Sequence, residues 1–401
     1  MSEKRRSIIL IVAAQVAAMS LWFISAAVLP DMLREAPITP TSQALLSSVV
    51  QAGFVLGALG SAVLGVADRF DPRRVLALSA GLAAAANIAL LAVPIGGAAA
   101  VALRFATGAL LAGVYPVGMK LAVGWGSHDR GFLVGLLVGA LTLGSASPHL
   151  VAWAGGTEWR MAVVATSAAA GLGGLLVLAA GLGPHHSTSP GFDVRALGLA
   201  WTDRRIRYAF GGYLGHMWEL YAMWAWIGAA VAASYGRHMA DDDAAGVAKL
   251  TAFAAIGLGG LASIAAGRLA DRVGKAEITM MAMAGSGLSA VAIAVAFGGP
   301  VWLVAALAVI WGVFVVPDSA QFSALVADAA PPEAAGSLLT FQTALGFALT
   351  VATVQATPVA AGLFGWPPVL ALLAIGPVLG IVSMQRCRQA WRSQAALAAT
   401  A

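Results

Sequence analysis

Residues 267–275 read GRLADRVGK, a short charged segment between two long apolar stretches of the chain. Within it, an Asp-Arg pair (Asp271 and Arg272) lies between two glycines, and a basic residue follows the second glycine. We predict helices over 246–269 and 277–297, and each is long enough to cross a bilayer, which takes roughly 20 residues. The segment is therefore a charged turn between two predicted membrane-spanning helices.

The composition of the whole chain agrees with this interpretation. Of its 401 residues, 60% are hydrophobic and only 10% are charged, whereas soluble domains have about 25% charged residues. A chain so poor in charge has too few polar side chains for a water-facing surface. The 47 glycines are typical of helices that pack closely in lipid. Soluble classes of protein are excluded, and the net charge of +5 does not indicate nucleic-acid binding.

Apolar stretches of membrane-spanning length recur along the chain. We predict twelve helices, over residues 7–29, 43–67, 75–93, 97–119, 131–154, 158–183, 206–234, 246–269, 277–297, 300–322, 335–358 and 366–385. The stretch 184–205 is polar and lies near the midpoint of the chain. The sequence thus predicts an all-α membrane protein with an N-terminal six-helix bundle (1–183), a cytoplasmic linker (184–205) and a C-terminal six-helix bundle (206–401).

Lysine and arginine are concentrated at one end of the predicted helices. If both termini are cytoplasmic, all but five of the 23 lysine and arginine residues lie on the cytoplasmic side, the exceptions being Arg34, Arg104, Arg160, Arg237 and Lys249. Cytoplasmic loops of membrane proteins carry such an excess. We therefore predict a multi-pass protein of the plasma membrane, which is the inner membrane in a bacterium, with both termini inside.

The two halves of the chain resemble each other at an offset of about 200 residues, as expected of a duplicated transporter-type fold. The matched pairs are Trp22 with Trp224, Asp68 with Asp271, and Pro116 with Pro317. Each pair alone is a weak signal. Their common offset predicts that the two bundles are related by pseudo-symmetry.

The segment 267–275 resembles the signature loop of the major facilitator superfamily. The equivalent segment 65–74 of the first half, GVADRFDPRR, is a degenerate copy in which Asp71 stands where the second glycine is expected. Arg104 and Gly108 resemble the superfamily's Arg-x-x-x-Gly element. This resemblance covers the whole chain and implies a twelve-helix fold in which helices 1, 4, 7 and 10 line a central cavity.

A looser likeness concerns residues 113–120, which read GVYPVGMK and are similar to members grouped with cyanate- and nitrate-type permeases. The nitrate branch holds its anion with an arginine in helix 2 and another in helix 8. Neither predicted helix contains one within its apolar length, since Arg268 lies at the cytoplasmic end of helix 8. The resemblance therefore implies a carrier of another small organic solute rather than of nitrate.

The two signature loops are candidate gating elements. An Asp at a helix end accepts hydrogen bonds from free backbone N–H groups, and the adjacent Arg can pair with an acid of the facing bundle. Such contacts would form on one side of the membrane and break when the bundles move. The alternative is a solvated basic turn that only sets topology. The candidate gating residues are Asp68, Arg69, Gly267, Asp271, Arg272, Gly274 and Lys275.

Ionisable residues within predicted spans are few, and such residues tend to be functional because burying them in a membrane is costly. Glu219 and His216 lie three residues apart on helix 7 and hence on one face. A carboxyl in an apolar surrounding can take up and release a proton during a transport cycle, and a neighbouring histidine can share that proton. We predict Glu219 as the proton-coupling carboxylate; the alternative is a polar pair that only holds helix 7 against a neighbour.

Other candidates for the cavity are less specific. Arg104 is either an anchor for an anionic solute or a structural partner for a carbonyl or an acid. Asp318, next to Pro317, takes part in transport or caps a broken helix. Trp22, Tyr115 and Trp224 are candidates for an aromatic lining that accepts a flat or cationic solute, although aromatic residues also populate membrane interfaces.

Taken together, these features predict a monomeric secondary active transporter of a small organic solute, coupled to protons and working by alternating access. A drug–proton antiporter is an alternative, although the Gly-Pro element typical of its helix 5 is absent because Ala140 follows Gly139. A membrane sensor on the same scaffold is the alternative from another class. An enzyme is not expected, since metal-binding or catalytic clusters and a nucleotide-binding loop are missing; no cofactor or metal is predicted.

Overall fold

The structure is a computed structural model that describes residues 2–127, 129–186 and 191–400, with only the backbone over 395–400. Every regular element in these ranges is helical. In the described chain, 11 helical segments are long and apolar enough to cross a membrane. A twelfth, Arg204–Tyr235, is a 32-residue helix whose His216, Glu219 and aromatic residues lower its hydropathy. The described helices are therefore consistent with the twelve predicted spans.

The spans of the first half form one six-helix bundle. Their bounds are Glu3–Met19 and Ile24–Glu35 (span 1), Pro40–Leu64 (span 2), Pro72–Ile88 with a 3₁₀ turn at Ala89–Ala92 (span 3), Ala98–Leu111 and Tyr115–Val123 (span 4), Arg130–Ala154 (span 5) and Trp159–Val177 (span 6). A short helix, Val66–Arg69, lies in the signature loop between spans 2 and 3.

The second half repeats this arrangement. Its bounds are Arg204–Tyr235 (span 7), Asp241–Val273 (span 8), Lys275–Ala296 (span 9), Val301–Val315 and Ser319–Ala329 (span 10), Pro332–Phe364 (span 11), and Trp366–Leu373 and Ile375–Thr400 (span 12). Spans 8 and 11 each have 33 residues, several more than predicted. Each begins earlier than predicted because polar residues such as Asp241 and Glu333 form its first turn, and each also continues past its predicted end, to Val273 and Phe364.

Spans 1, 4 and 10 are interrupted near their middles. Span 4 breaks before Tyr115 and Pro116, and span 10 breaks between Val315 and Ser319, a segment that contains Pro317. A proline removes a backbone donor and disfavours a continuous helix. The corresponding breaks in spans 4 and 10 agree with the sequence pairing of Pro116 with Pro317.

Close packing of glycines shows the same internal repeat. A Cβ at Gly108 on span 4 would lie 2.0 Å from the carbonyl oxygen of Val50 on span 2. A Cβ at Gly312 on span 10 would lie 1.9 Å from the carbonyl oxygen of Ala255 on span 8. These two crossings occupy equivalent positions of the two halves, and in each the missing side chain allows two backbones to touch.

The described part of the predicted linker packs against both halves; its residues 187–190 lie outside the described chain. The backbone N–H of His185 donates to the carbonyl of Gly124 in the first half (3.0 Å). The N–H of Asp193 donates to Ser337 Oγ on span 11 (2.9 Å). A 3₁₀ helix, Val194–Gly198, and the short helix Leu199–Thr202 follow. Span 7 then begins at Arg204, where Asp203 caps it.

Candidate functional site: a cavity between the two halves

A cavity of about 580 Å³ lies between the two bundles, within the usual size range of small-molecule sites, about 300–1,000 Å³. Spans 2, 4 and 5 of the first half line it, together with spans 7, 10 and 11 of the second. Its lining reaches Asp68 of the first signature loop, Phe192 of the linker and Ser337 near the start of span 11. The cavity therefore extends towards the face that carries both termini and both signature loops, here called the basic face.

At its inner end the cavity meets a cluster of aromatic side chains from both halves, called here the aromatic cluster. It consists of Trp22, Phe23, Phe54, Tyr221, Trp224 and Phe347. Neighbouring ring centroids lie close together, at 4.7 Å for Phe54 and Phe347 and 4.9 Å for Tyr221 and Phe347. Packed rings at these distances leave little room for water, so the cluster closes the cavity near the middles of spans 1, 7 and 11.

Ion pairs between the two halves lie on the other face, called here the opposite face. Lys249 Nζ of span 8 is 2.6 Å from Asp31 Oδ2 of span 1, and both residues are buried. Lys249 also donates to the carbonyl of Gly156 at 3.0 Å. Arg34 and Asp242 form a second pair between the halves at 2.6 Å. These contacts hold spans 1 and 8 together where the cavity does not reach.

The signature loops on the basic face form ion pairs within their own halves. Asp68 pairs with Lys120 at the end of span 4, and Lys275 pairs with Asp328 at the end of span 10. In each half, a loop residue thus pairs with a residue at the end of the fourth span of that half, although the paired residues do not occupy matched positions. Asp271 and Arg272 are exposed and, within the described ranges, make no hydrogen bond or ion pair. The second loop therefore does not bridge the halves in this conformation.

Three further loop residues were predicted to take part in gating. Gly274 ends span 8 with a positive φ of 111°, a conformation that glycine adopts readily. Gly267 has open space around its Cα, so nothing in the packing requires a glycine there. Arg69 is exposed at the end of the helix Val66–Arg69.

Glu219 and His216 face the interior of the second bundle. Glu219 accepts hydrogen bonds from Ser286 Oγ of span 9 (2.8 Å) and from Trp311 Nε1 of span 10 (2.7 Å). His216 Nδ1 lies 2.9 Å from Asp318 Oδ1 at the break of span 10. All three ionisable groups are buried. Span 7 thus carries a polar cluster directly behind the cavity wall that is formed by its residues Tyr213 and Met217.

Arg104 binds the interruption of span 1. Its guanidinium donates to the carbonyls of Leu21 (2.9 Å) and Trp22 (2.6 Å) and to Asn87 Oδ1 (3.2 Å). The break of span 1 leaves these two carbonyls without helical partners, and in a membrane such groups must be satisfied by the protein. This arrangement corresponds to the structural alternative considered for Arg104 from the sequence.

The placement of the seven predicted cavity residues corrects part of the expectation. Tyr115 and Trp224 line the cavity. Trp22 lies behind the lining in the aromatic cluster, and Arg104 lies deeper still, at 0% exposure. Glu219, His216 and Asp318 lie behind the wall rather than in it, because their partners belong to the second bundle. Span 1 contributes no residue to the described lining, and spans 2, 5 and 11 contribute instead.

Several residues of the site were not predicted. Asp31 lies at the end of span 1 and finds its partner Lys249 more than two hundred residues away. Ser286 and Trp311 supply the hydrogen bonds to Glu219, and Asn87 binds Arg104. The only available signal for Asp31 was an acid at the end of a span opposite a base at the start of another. A single sequence does not show which acid meets which base.

Two bundles around a cavity that reaches one face define a class of membrane carrier. The chain belongs to the Major Facilitator Superfamily, whose sequence profile matches residues 10–352. The crystal structure of a point mutant of the nucleoside transporter NupG has the same fold, with a TM-score of 0.73 and 13% identity over 96% of this chain and 100% of that one. The xylose transporter XylE from E. coli, in a partially occluded inward open conformation, gives a TM-score of 0.72 and 12% identity over 96% and 99%.

Comparison with curated protein sequences gives no match. At such low identities, the two structures establish the fold and not the substrate. The family and the fold together make the chain a multi-pass membrane transporter of a small molecule rather than an enzyme. The prediction of the family and of the all-α fold is confirmed.

Proposed function

We propose that the protein is a secondary active transporter that carries a small organic solute by alternating access. One observation carries the proposal: the cavity extends to the basic face, while ion pairs between the halves hold the opposite face together. A carrier needs a second state in which these contacts are exchanged. Asp271 and Arg272, which are exposed and have no ion-pair partner in the described chain, are available for contacts that would close the basic face.

We further propose that the basic face is cytoplasmic and that the conformation described above is open inwards. The support is the distribution of lysine and arginine, because basic loops are retained on the cytoplasmic side. Ion pairs such as Lys4 with Asp129 (2.8 Å) lie on this face. The Lys4 ammonium lowers the pKa of the Asp129 carboxyl below its ordinary value, so this pair stays charged at neutral pH. We expect both termini in the cytoplasm.

Coupling to protons is proposed for the polar cluster behind the cavity wall. Within the described chain, Glu219 contacts two neutral donors and no cation, so its carboxyl can exist with or without a proton. His216 and Asp318 lie on the two elements that flank the cavity, spans 7 and 10. A proton gained or lost here changes the contacts between span 7 and spans 9 and 10. That change offers a route from protonation to movement of the wall.

The test measures proton movement in proteoliposomes that contain a pH-sensitive dye, with a panel of uncharged and charged organic solutes added outside. We expect one class of solute to drive proton flux in the wild-type protein. Glu219→Gln should retain solute binding and lose at least about 90% of this flux, a tenfold change that corresponds to about 1.4 kcal/mol. The matched control is Glu333→Gln, because Glu333 is exposed at the start of span 11.

The alternative, a purely structural Glu219, predicts a different result. Glu219→Gln would then lower the melting temperature and leave the ratio of protons to solute unchanged. Flux at the wild-type rate in Glu219→Gln would refute the assignment of coupling to this residue. Absence of flux with every solute, in wild-type protein whose binding is intact, would refute proton coupling altogether.

A further inference from the structure

The polar groups in the cavity wall are almost all neutral. Among the described lining residues, Asp68 is the only one with a charged side chain, and it is paired with Lys120 at the basic face. The remaining polar lining comes from hydroxyls and from Trp224. We propose that the solute is uncharged and consists of a flat ring system that bears hydrogen-bond acceptors; this inference rests on the proposed transport function and names its substrate class.

The charged groups behind the cavity wall already have partners within the protein, as His216 Nδ1 and Asp318 Oδ1 do in each other at 2.9 Å. The Arg104 guanidinium is hydrogen-bonded to the carbonyls of Leu21 and Trp22, so it is not available to bind an anionic solute. The Glu219 carboxylate lies behind the cavity wall, where it accepts hydrogen bonds from Ser286 and Trp311. It is therefore not available to bind a cationic solute. An ion in this cavity would lose water without gaining a counter-charge, which is strongly unfavourable. An uncharged solute avoids this penalty.

The inner end of the cavity presents ring faces and unpaired donors. Trp224 and Tyr221 line it beside Phe347, and such rings stack on a flat solute. The indole N–H of Trp224 is buried, and so is that of Trp22 behind it; neither finds an acceptor in the described chain. A buried donor without a partner is unfavourable. Trp224 lines the cavity, and a solute with an acceptor at this end would supply the missing bond once a rotation of the indole turns its buried N–H towards the cavity.

Three phenol hydroxyls provide further hydrogen-bonding groups along the cavity wall. Tyr115 of the first half and Tyr213 and Tyr221 of the second line the cavity. No hydrogen bond from these hydroxyls to another described residue exists, in contrast to Tyr235, which bonds to Thr251 at 3.1 Å. Each hydroxyl can donate and accept. Because the two halves contribute to this set, a solute bound by it would contact both bundles, as a carrier requires.

The test compares probes that differ in charge and in aromatic character. Purified full-length protein is mixed with adenosine or caffeine (uncharged heteroaromatic rings), xylose (uncharged, without an aromatic ring), benzoate (an anionic ring) or benzyltrimethylammonium (a cationic ring). Melting temperature and tryptophan fluorescence are recorded. We expect adenosine or caffeine to raise the melting temperature, and the other three to have no effect. The proposal is overturned if a charged ring or xylose stabilises the protein more than both heteroaromatic probes, or if no probe stabilises it.

A pair of variants tests the contact at the inner end. Trp224→Phe keeps a ring and removes the N–H, so we expect affinity for the stabilising probe to fall about tenfold. Trp302→Phe is the matched control, since Trp302 is 71% exposed on span 10; its affinity should equal that of the wild type. Tyr115→Phe, which removes one hydroxyl, should weaken binding several-fold without a change in the unliganded melting temperature. Unchanged affinity in both Trp224→Phe and Tyr115→Phe overturns the assignment of these donors.

Failure of this inference is distinguishable from failure of the proposed function. Transport of a charged solute by the reconstituted protein would leave the function intact and contradict the substrate class. Binding of adenosine or caffeine without transport of either in a counterflow assay would support the substrate class and contradict the function.

Discussion

Arg104 shows how one side chain determines the course of a span. It is fully buried, and its described partners are neutral: two carbonyls at the break of span 1, the amide oxygen of Asn87 and, at 3.5 Å, the carbonyl of Leu46 on span 2. A buried arginine is tolerated where the N–H groups of its guanidinium donate hydrogen bonds to the surrounding protein. The equivalent position of the second half is Ala308, four residues before Gly312, and span 7, the counterpart of span 1, is continuous. The arginine and the broken helix therefore occur together.

Replacement of Arg104 tests this connection. Arg104→Met should leave the carbonyls of Leu21 and Trp22 unpaired, with a loss of about 1–3 kcal/mol for each. We expect a clearly lower melting temperature in detergent. Arg392→Met, at an exposed site near the C-terminus, serves as the control and should melt as the wild type does. Equal melting of Arg104→Met and the control would show that the guanidinium does not support the break.

At the scale of the elements, two helix crossings depend on glycines, because a side chain at either position would keep the two backbones apart. Gly108→Ala and Gly312→Ala should each force two backbones apart at the crossings of spans 2 with 4 and 8 with 10. Overpacking of this kind costs about 1–3 kcal/mol, so both variants should melt at a lower temperature. Gly60→Ala is the control, because a Cβ there meets nothing within 4 Å. Wild-type melting in both crossing variants would contradict the close approach.

The start of span 7 depends on a charged cap. Asp203 accepts hydrogen bonds from the backbone N–H groups of Arg205 (2.8 Å) and Ile206 (3.5 Å). Burial by itself would raise the pKa of the Asp203 carboxyl, but the Arg205 side chain and the two N–H groups outweigh it and lower the pKa below its ordinary value. A group with a lowered pKa stabilises the fold above its unfolded pKa, and this contribution is lost as the pH falls through the folded pKa.

Removal of this cap should therefore have a pH-dependent effect. Asp203→Ala should lower the free energy of unfolding by about 1 kcal/mol at neutral pH, and the difference from the wild type should stay constant down to about pH 5. It should shrink below about pH 4. Asp243→Ala, in the exposed first turn of span 8, is the control. Melting curves recorded across this pH range check the prediction, and a difference that grows at acid pH would contradict it.

The sequence predicted most of these elements, and the reasons for the exceptions are physical. Hydrophobic length identified the spans. The breaks in spans 4 and 10 were not predicted, since both spans were expected to be continuous, although a broken helix beside Pro317 was one alternative considered for Asp318. The break in span 1 was not predicted, because it depends on Arg104 from another span. The starts of spans 8 and 11 were placed too far inside because their first turns are polar, and their ends at Val273 and Phe364 were also placed too early. Glu219 was recognised as unusual, but its orientation towards Ser286 and Trp311 depends on packing that spacing alone does not fix.

At the scale of the whole molecule, the conformation depends on contacts between the halves. Lys249 and Asp31 are a buried pair, and removal of one partner of such a pair costs about 3–5 kcal/mol. The described ion pairs on the basic face stay within one half each, as with Lys275 and Asp328. Replacement of Lys249 should therefore weaken the contacts that close the opposite face and leave the ion pairs of the basic face unchanged. The central claim is that this pair holds the carrier in its state open to the basic face.

The reactivity of introduced cysteines measures directly whether the Lys249–Asp31 pair keeps the opposite face closed. In a Cys387→Ser background, Ala245→Cys reports on the opposite face, one turn from Lys249 and buried, and Ser323→Cys reports on the cavity. Arg160→Met is the matched control, because Arg160 pairs with Glu35 within the first half on the same face. Labelling rates with a water-soluble maleimide are compared in membranes.

We predict that Lys249→Met raises labelling of Ala245→Cys at least about tenfold, a shift of about 1.4 kcal/mol, and lowers labelling of Ser323→Cys, whereas Arg160→Met changes neither rate. Unchanged labelling of both reporters in Lys249→Met, or the same change in Arg160→Met, would contradict the claim that the pair between the halves holds the opposite face closed.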